Sequence, residues 1–196
     1  MSKNLIFCRV GLKNWKNFAN AEVAIQDRTF LVGPNASGKS NFLDAFRFLR
    51  DLASPGGGFQ ESIERRGGVT ALRCLAARRD SYVGLSVELK DPSNTSKWEY
   101  EITFNQTKQR RPILRKERVA FNGEVLLDRP NDEDRYDEAR LSQTYLEQVN
   151  VNRPFRDLTT FFSSIRYLHI VPQLVREPDR SVGRSDDPFG GDFLEQ

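Results

Sequence analysis

Gly33-Pro34-Asn35-Ala36-Ser37-Gly38-Lys39-Ser40 is the stretch that decides how this chain folds. Two glycines, a lysine and a hydroxyl stand at the Gly-x4-Gly-Lys-Ser/Thr spacing of a phosphate-binding loop. With glycine at about 7% of average usage, a chain this long meets the pattern by chance roughly once in a hundred. Gly33 and Gly38 let the backbone bend until successive N–H groups converge on phosphate oxygens, and a helix opening near Lys39 adds its positive end. Lys39 is placed to reach the β- and γ-phosphates, and the Ser40 hydroxyl to ligate Mg²⁺ alongside phosphate oxygens. Pro34 fixes φ without adding a donor, Asn35 tolerates unusual backbone angles, Ala36 and Ser37 complete the loop, and Asn41 follows it. A glycine-rich turn with no ligand has no use for Lys39 and Ser40 together.

Outward from the loop, the pattern predicts three strands before it: Leu5 to Val10, Ala21 to Ile25 and Arg28 to Val32, with a polar turn at Asn14 to Asn20. After it, Phe42, Ala45, Phe46, Leu49 and Leu52 mark one face of a helix that ends at Ser54-Pro55-Gly56-Gly57-Gly58. The glycine triplet reads as a helix stop, because no helical pattern opens directly after it. Val83, Leu85, Val87 and Leu89 then alternate with polar residues, as do Trp98, Tyr100, Ile102 and Phe104 beyond the turn Asp91 to Ser96. That is an antiparallel hairpin with one wet face. A second hairpin spans Ile113 to Asp128 and turns at Asn122-Gly123, two residues that adopt φ > 0 readily. The fold class is therefore α/β, a phosphate-loop strand-helix unit with an adjoining antiparallel sheet, and not the alternating order of a doubly wound sheet.

Asn131 to Asp137 reads as a loop or helix start and Arg140 to Val149 as weakly helical. Pro154 opens another helix that buries Phe155, Leu158, Phe161 and Phe162, and Arg166 to Val171 reads as a strand stopped by Pro172. Residues 1–172 are predicted to form one lobe. Residues 173–196, rich in Pro, Gly, Asp and Arg, are predicted to be a polar tail or linker of disordered composition.

The 30 Lys and Arg against 27 Asp and Glu leave +3, too mild to imply nucleic acid by itself. The strip Lys108, Arg110, Arg111, Arg115, Lys116 and Arg118 is a possible phosphate contact, although strand alternation divides it between faces. Trp98, Tyr100 and Phe104 lie on an apolar face and suit a core better than base stacking. Cys8 and Cys74 have no metal-ligand spacing and read as small buried residues of a reducing compartment. A single histidine, His169, excludes a multi-histidine metal site; before Pro172 it reads as a core histidine rather than a general base, and no Ser/His/Asp or Cys/His set is recognisable around it. No run approaches the ~18 apolar residues of a membrane span and no signal pattern opens the chain, so a cytoplasmic protein without membrane contact is expected.

The run Leu12 to Asn17 and above all Leu31 through Phe46, with Asn41-Phe42-Leu43-Asp44-Ala45 after the loop, resemble the N-terminal part of RecF/SMC-type ATPases. These are ABC-class heads, and the resemblance extends to bacterial "AAA family ATPase" proteins related to the OLD and Septu anti-phage ATPases. It implies an ABC-ATPase-like N-terminal lobe that binds ATP and Mg²⁺ and works as a homodimer or with a second chain supplying the C-terminal half. It also implies service in DNA maintenance or anti-phage defence, with DNA a possible partner. Such heads complete ATP hydrolysis with a signature motif and an apolar strand ending in Asp-Glu. This sequence contains neither; Glu177-Pro178-Asp179 follows an interrupted run and reads as a decoy. The chain thus resembles a fragment or one part of a split ATPase, expected to bind nucleotide and to hydrolyse it poorly alone. The same resemblance points to a water- and Mg²⁺-sensing glutamine near Gln143, with Gln148 and Gln173 as rivals and an ordinary surface glutamine as the alternative. It also aligns Arg65-Arg66-Gly67-Gly68 with a basic loop near the nucleotide, against which stands a solvated turn. A nucleotide-binding regulatory subunit and another phosphate-loop enzyme are the rival functions. A GTPase lacks support, since no Asn-Lys-x-Asp occurs and Asp187-Pro188-Phe189-Gly190 matches Asp-x-x-Gly by letter only.

Overall fold

The computed structural model describes residues 5–76 and 81–168. The chain divides into two units, Met1–Ser164 and Ile165–Gln196, and every element below belongs to the first. Its frame is a six-stranded antiparallel sheet of β1 (Ile6–Trp15), β2 (Phe18–Ala24), β3 (Val83–Lys90), β4 (Lys97–Gln106), β5 (Pro112–Phe121) and β6 (Glu124–Arg129), in the order β2-β1-β3-β4-β5-β6. The alternation read from the sequence sets the register: Leu85, Val87 and Leu89 face Ile102, Tyr100 and Trp98 across the β3–β4 ladder, and all six are buried. Asn122 and Gly123 turn the last hairpin at φ 49° and 85°.

Everything between β2 and β3 is one excursion that carries the phosphate loop, α1 (Lys39–Ala53), α2 (Phe59–Glu64) and α3 (Val69–Leu72). α1 lays Phe42, Ala45, Phe48, Leu49 and Leu52 onto the apolar face of the sheet, where Phe48 meets Trp15 at 5.3 Å and Phe104 at 5.7 Å between ring centroids. After β6 come α4 (Asp132–Tyr136), capped by Asn131, a 3-10 turn at Glu138–Ser142, and α5 (Arg156–Ser163). α5 packs Phe162 against Tyr100 at 5.6 Å, so the helices α1 and α5 share one face of the sheet. The other face is wet and laced by charge pairs such as Lys116–Glu101 at 2.8 Å and Arg118–Glu99 at 3.2 Å.

Five expectations are corrected. Arg28 to Val32 forms no strand, because no strand among the described residues lies alongside to pair with it; Phe30 and Val32 stand 85% and 94% exposed. A helix does follow the glycine triplet: α2 opens directly after Gly58 and buries Phe59 and Ile63. Arg140 to Val149 holds only the end of the 3-10 turn, and Phe161 is half-buried where Phe155, Leu158 and Phe162 are buried. Of the strand expected at Arg166 to Val171, residues 166–168 lie outside any strand; the remainder, with His169, Gln173, Glu177 to Asp179, Asp187 to Gly190, the boundary at 172 and the tail, lies outside the described residues.

A network that the sequence did not announce lies under β5 and β6. Arg129, fully buried, holds Asp134 through two hydrogen bonds of 2.9 and 2.7 Å, donates to Glu117 at 3.1 Å and stacks on Tyr145 at 3.9 Å. Burial pushes the Glu117 carboxyl up to about 7, although the Tyr145 N–H and Arg129 draw it back. Burial also acts against Asp134, but the Arg129 and Asn131 donors prevail and lower it to about 2.

Candidate nucleotide-binding site

The phosphate loop leaves the exposed segment at Val32 and enters α1 at Lys39. Ala36 takes φ 62° and Gly38 φ 100°, and the Ser37 N–H donates to the Pro34 carbonyl at 3.3 Å. Gly38 is required by its backbone angle and by space, since a Cβ there would collide with the Asn17 amide, whereas one on Gly33 would meet only the exposed Ser37 hydroxyl, at 2.9 Å. The Lys39 ammonium folds back over the loop and donates to the carbonyls of Gly33 at 2.8 Å and Pro34 at 2.7 Å.

α1 begins with no side-chain cap and no acidic residue in its first turn. Its first bond runs from the Phe42 N–H to the Gly38 carbonyl at 2.9 Å, so the N–H groups of Lys39, Ser40 and Asn41 have no intrahelical acceptor. Those donors and the positive end of the dipole make a site for an anion. Ser40 is exposed, and its hydroxyl has no hydrogen-bond partner among the described residues. No group of three His, Cys, Asp or Glu able to hold a metal occurs among the described residues. One hydroxyl beside phosphate oxygens suits Mg²⁺, which keeps several waters and binds through substrate phosphates.

The β1–β2 turn holds this helix end in place. Trp15 Nε1 donates to the Asn41 carbonyl at 3.0 Å, Asn41 Nδ2 donates to Asn17 Oδ1 at 2.9 Å, and Lys16 pairs with Asp44 at 2.7 Å. From the other side Arg66, nearly buried, reaches Asp44 at 3.0 Å and Asp51 at 2.8 Å with its guanidinium over Phe48. Burial alone would raise the Asp44 carboxyl, but Arg66 and Lys16 hold it below its ordinary value. Arg66 is therefore neither a solvated turn residue nor a free charge for a ligand; it braces α1. Lys16, Asn17 and Arg66 were missed as supports, and the only sequence signal was their closeness to the loop motif or to a glycine pair.

The other expected site residues lie apart from the loop. Gln143 caps the 3-10 turn after β6, is exposed, accepts from Gln148 at 3.3 Å through its side chain and makes no hydrogen bond to loop residues 33–41. The basic strip divides: Arg115, Lys116 and Arg118 are engaged by Asn105, Glu101 and Glu99, while Lys108, Arg110 and Arg111 are exposed in and beside the β4–β5 turn. Trp98, Tyr100 and Phe104 are core. Cys74 is buried and Cys8 half-buried, both free thiols.

A phosphate loop at the open end of a helix, laid with that helix on an antiparallel sheet, defines an ATPase-type nucleotide-binding lobe. The chain belongs to the family described as "AAA domain, putative AbiEii toxin, Type IV TA system", which matches residues 28–187. No curated protein matches the sequence. Among solved structures it is similar to "Structure of the recombination mediator protein RecF-ATP in RecFOR pathway", at 17% identity and a TM-score of 0.40 over 63% of this chain and 29% of that one. A second RecF structure, with ATPγS ("RecF-ATPrS"), gives 19% and 0.41 over 64% and 29%. "SMC head domain from Thermotoga maritima" gives 20% and 0.34 over 62% and 38%. The chain thus spans between about three-tenths and four-tenths of the length of these structures. No helix among the described residues is long and apolar enough to cross a membrane.

Proposed function

We propose that this chain is the ATP-binding lobe of an SMC/RecF/OLD-like ATPase head. The observation that carries the reading is the pairing of Lys39 and Ser40 with three acceptor-free N–H groups at the start of α1. On binding, Lys39 exchanges its loop carbonyls for the β- and γ-phosphates, the helix start takes the remaining phosphate charge, and Ser40 offers its hydroxyl to Mg²⁺. Mg²⁺ supplies charge neutralisation between the phosphates. ATP serves chiefly as a switch that brings two heads together, as a homodimer or with a chain supplying the C-terminal half, in DNA maintenance or anti-phage defence. Gln143 is the proposed sensor of Mg²⁺ and water in that assembly.

The sequence carries no Leu-Ser-Gly-Gly motif and no apolar strand ending in Asp-Glu, which favours binding over turnover for this chain by itself. The same observation supports a second reading, a nucleotide-binding regulatory subunit that depends on another chain for hydrolysis. Calorimetric titration with ATP and GTP in the presence of Mg²⁺ tests the assignment. ATP is expected to bind, and Lys39→Ala to weaken it at least tenfold; equal affinity in the variant removes the phosphate loop from the mechanism. Rapid ATP turnover by this chain alone would contradict the incomplete-head reading.

A further inference from the structure

Two adjoining cavities lie between the Gly67-Gly68 turn and the β4–β5 turn, away from the phosphate loop. The larger, about 620 Å³, has Ile63, Pro112, Gly67, Gly68, Arg110 and Arg111 in its lining. The smaller, about 380 Å³, shares Thr70, Gln106 and Arg110 with it and adds Arg73 and Lys108. The larger volume is that of a small-molecule pocket.

Charge makes this surface unlike the rest of the sheet. Arg115, Lys116 and Arg118, on the neighbouring strand, are each engaged by an acceptor. Arg73, Lys108, Arg110 and Arg111 have no side-chain hydrogen bond or ion pair among the described residues, and all four are exposed. Glu64 is the one carboxylate among the described residues of either lining. The glutamine amides are already used: Gln60 donates to the Pro112 and Ser142 carbonyls at 3.0 and 2.8 Å, and Gln106 exchanges long hydrogen bonds with Thr70. The cationic donors are thus unengaged, and guanidinium groups match phosphate oxygens two at a time. Gly67 and Gly68, at φ 82° and 86°, leave their side open to a close approach.

We infer that this pocket binds a phosphorylated small molecule of nucleotide size, its flat part against Pro112 and the Gly67-Gly68 turn and its phosphate between Arg110, Arg111 and Lys108. A nucleic-acid strand is the poorer occupant, since no aromatic side chain among the described residues lines either cavity to stack a base. This site is independent of the phosphate loop, so the test is made in the Lys39→Ala chain, where the loop is silenced. Ribonucleoside mono- and diphosphates are titrated by calorimetry, beside a single-stranded oligothymidylate. At least one nucleotide is expected to bind, and Arg110→Gln with Arg111→Gln to weaken it tenfold or more without lowering the melting temperature. Lys108→Gln is expected to weaken it less. No nucleotide binding above that of the double variant, undiminished binding in that variant, or displacement of the nucleotide by the oligothymidylate at lower concentration would each overturn the inference.

Discussion

At Gly38 the phosphate loop depends on the absence of a single atom. Its φ of 100° is open to glycine and costly for any other residue, and a Cβ there would collide with the Asn17 amide that also receives Asn41. Gly38→Ala is expected to lower stability by about 1 kcal/mol or more and to weaken ATP by over tenfold, read by thermal melting and by the ATP titration in parallel. The residues of the loop were legible in the sequence because their chemistry is tied to fixed spacing. Asn17 and Lys16 were not, because their role comes from a turn that tertiary packing lays against α1, a relation no local pattern encodes.

Among the elements, hairpins and helices with clean periodicity were legible, since alternation or a 3.6-residue stripe already states which face is buried. The segment Arg28 to Val32 shows the limit of that logic. Its composition favours a strand, but a strand is made by a neighbour, and no neighbour lies beside it among the described residues. α2 failed in the opposite sense, being six residues long and so too short to show a period. α1 is long, yet it also needs Arg66, whose guanidinium neutralises Asp44 and Asp51 beneath it. Arg66→Ala is expected to destabilise the fold by about 3 kcal/mol, the low end for a broken buried pair because Lys16 and Arg50 remain as partners, measured by urea denaturation.

For the whole molecule, pH acts through the network beneath β5 and β6. Glu117 ionises near 7 in the folded chain and near 4.5 when unfolded, so between those values the folded state binds the extra proton and stability falls as pH rises. The stability of the wild type relative to Glu117→Gln is expected to fall by up to about 3 kcal/mol from pH 4.5 to 8, measured by denaturation at each pH. Asp134 works in the other direction, its contribution present above about 4 and lost as pH falls towards 2. The β1 strand pairs with β2 on one side and β3 on the other, and the whole excursion bearing the phosphate loop starts from one neighbour and returns to the other. The two parts before and after Leu75 are also held together without the chain that links them, by the β1–β3 ladder, by Phe48 and Phe59 against Phe104 and by Gln60 on the Pro112 and Ser142 carbonyls. A protease cut beside Leu75, which is 86% exposed, is therefore expected to give two peptides that elute together in native chromatography and separate only in denaturant. The nucleotide lobe is, in this sense, already two complementary pieces joined by a dispensable thread.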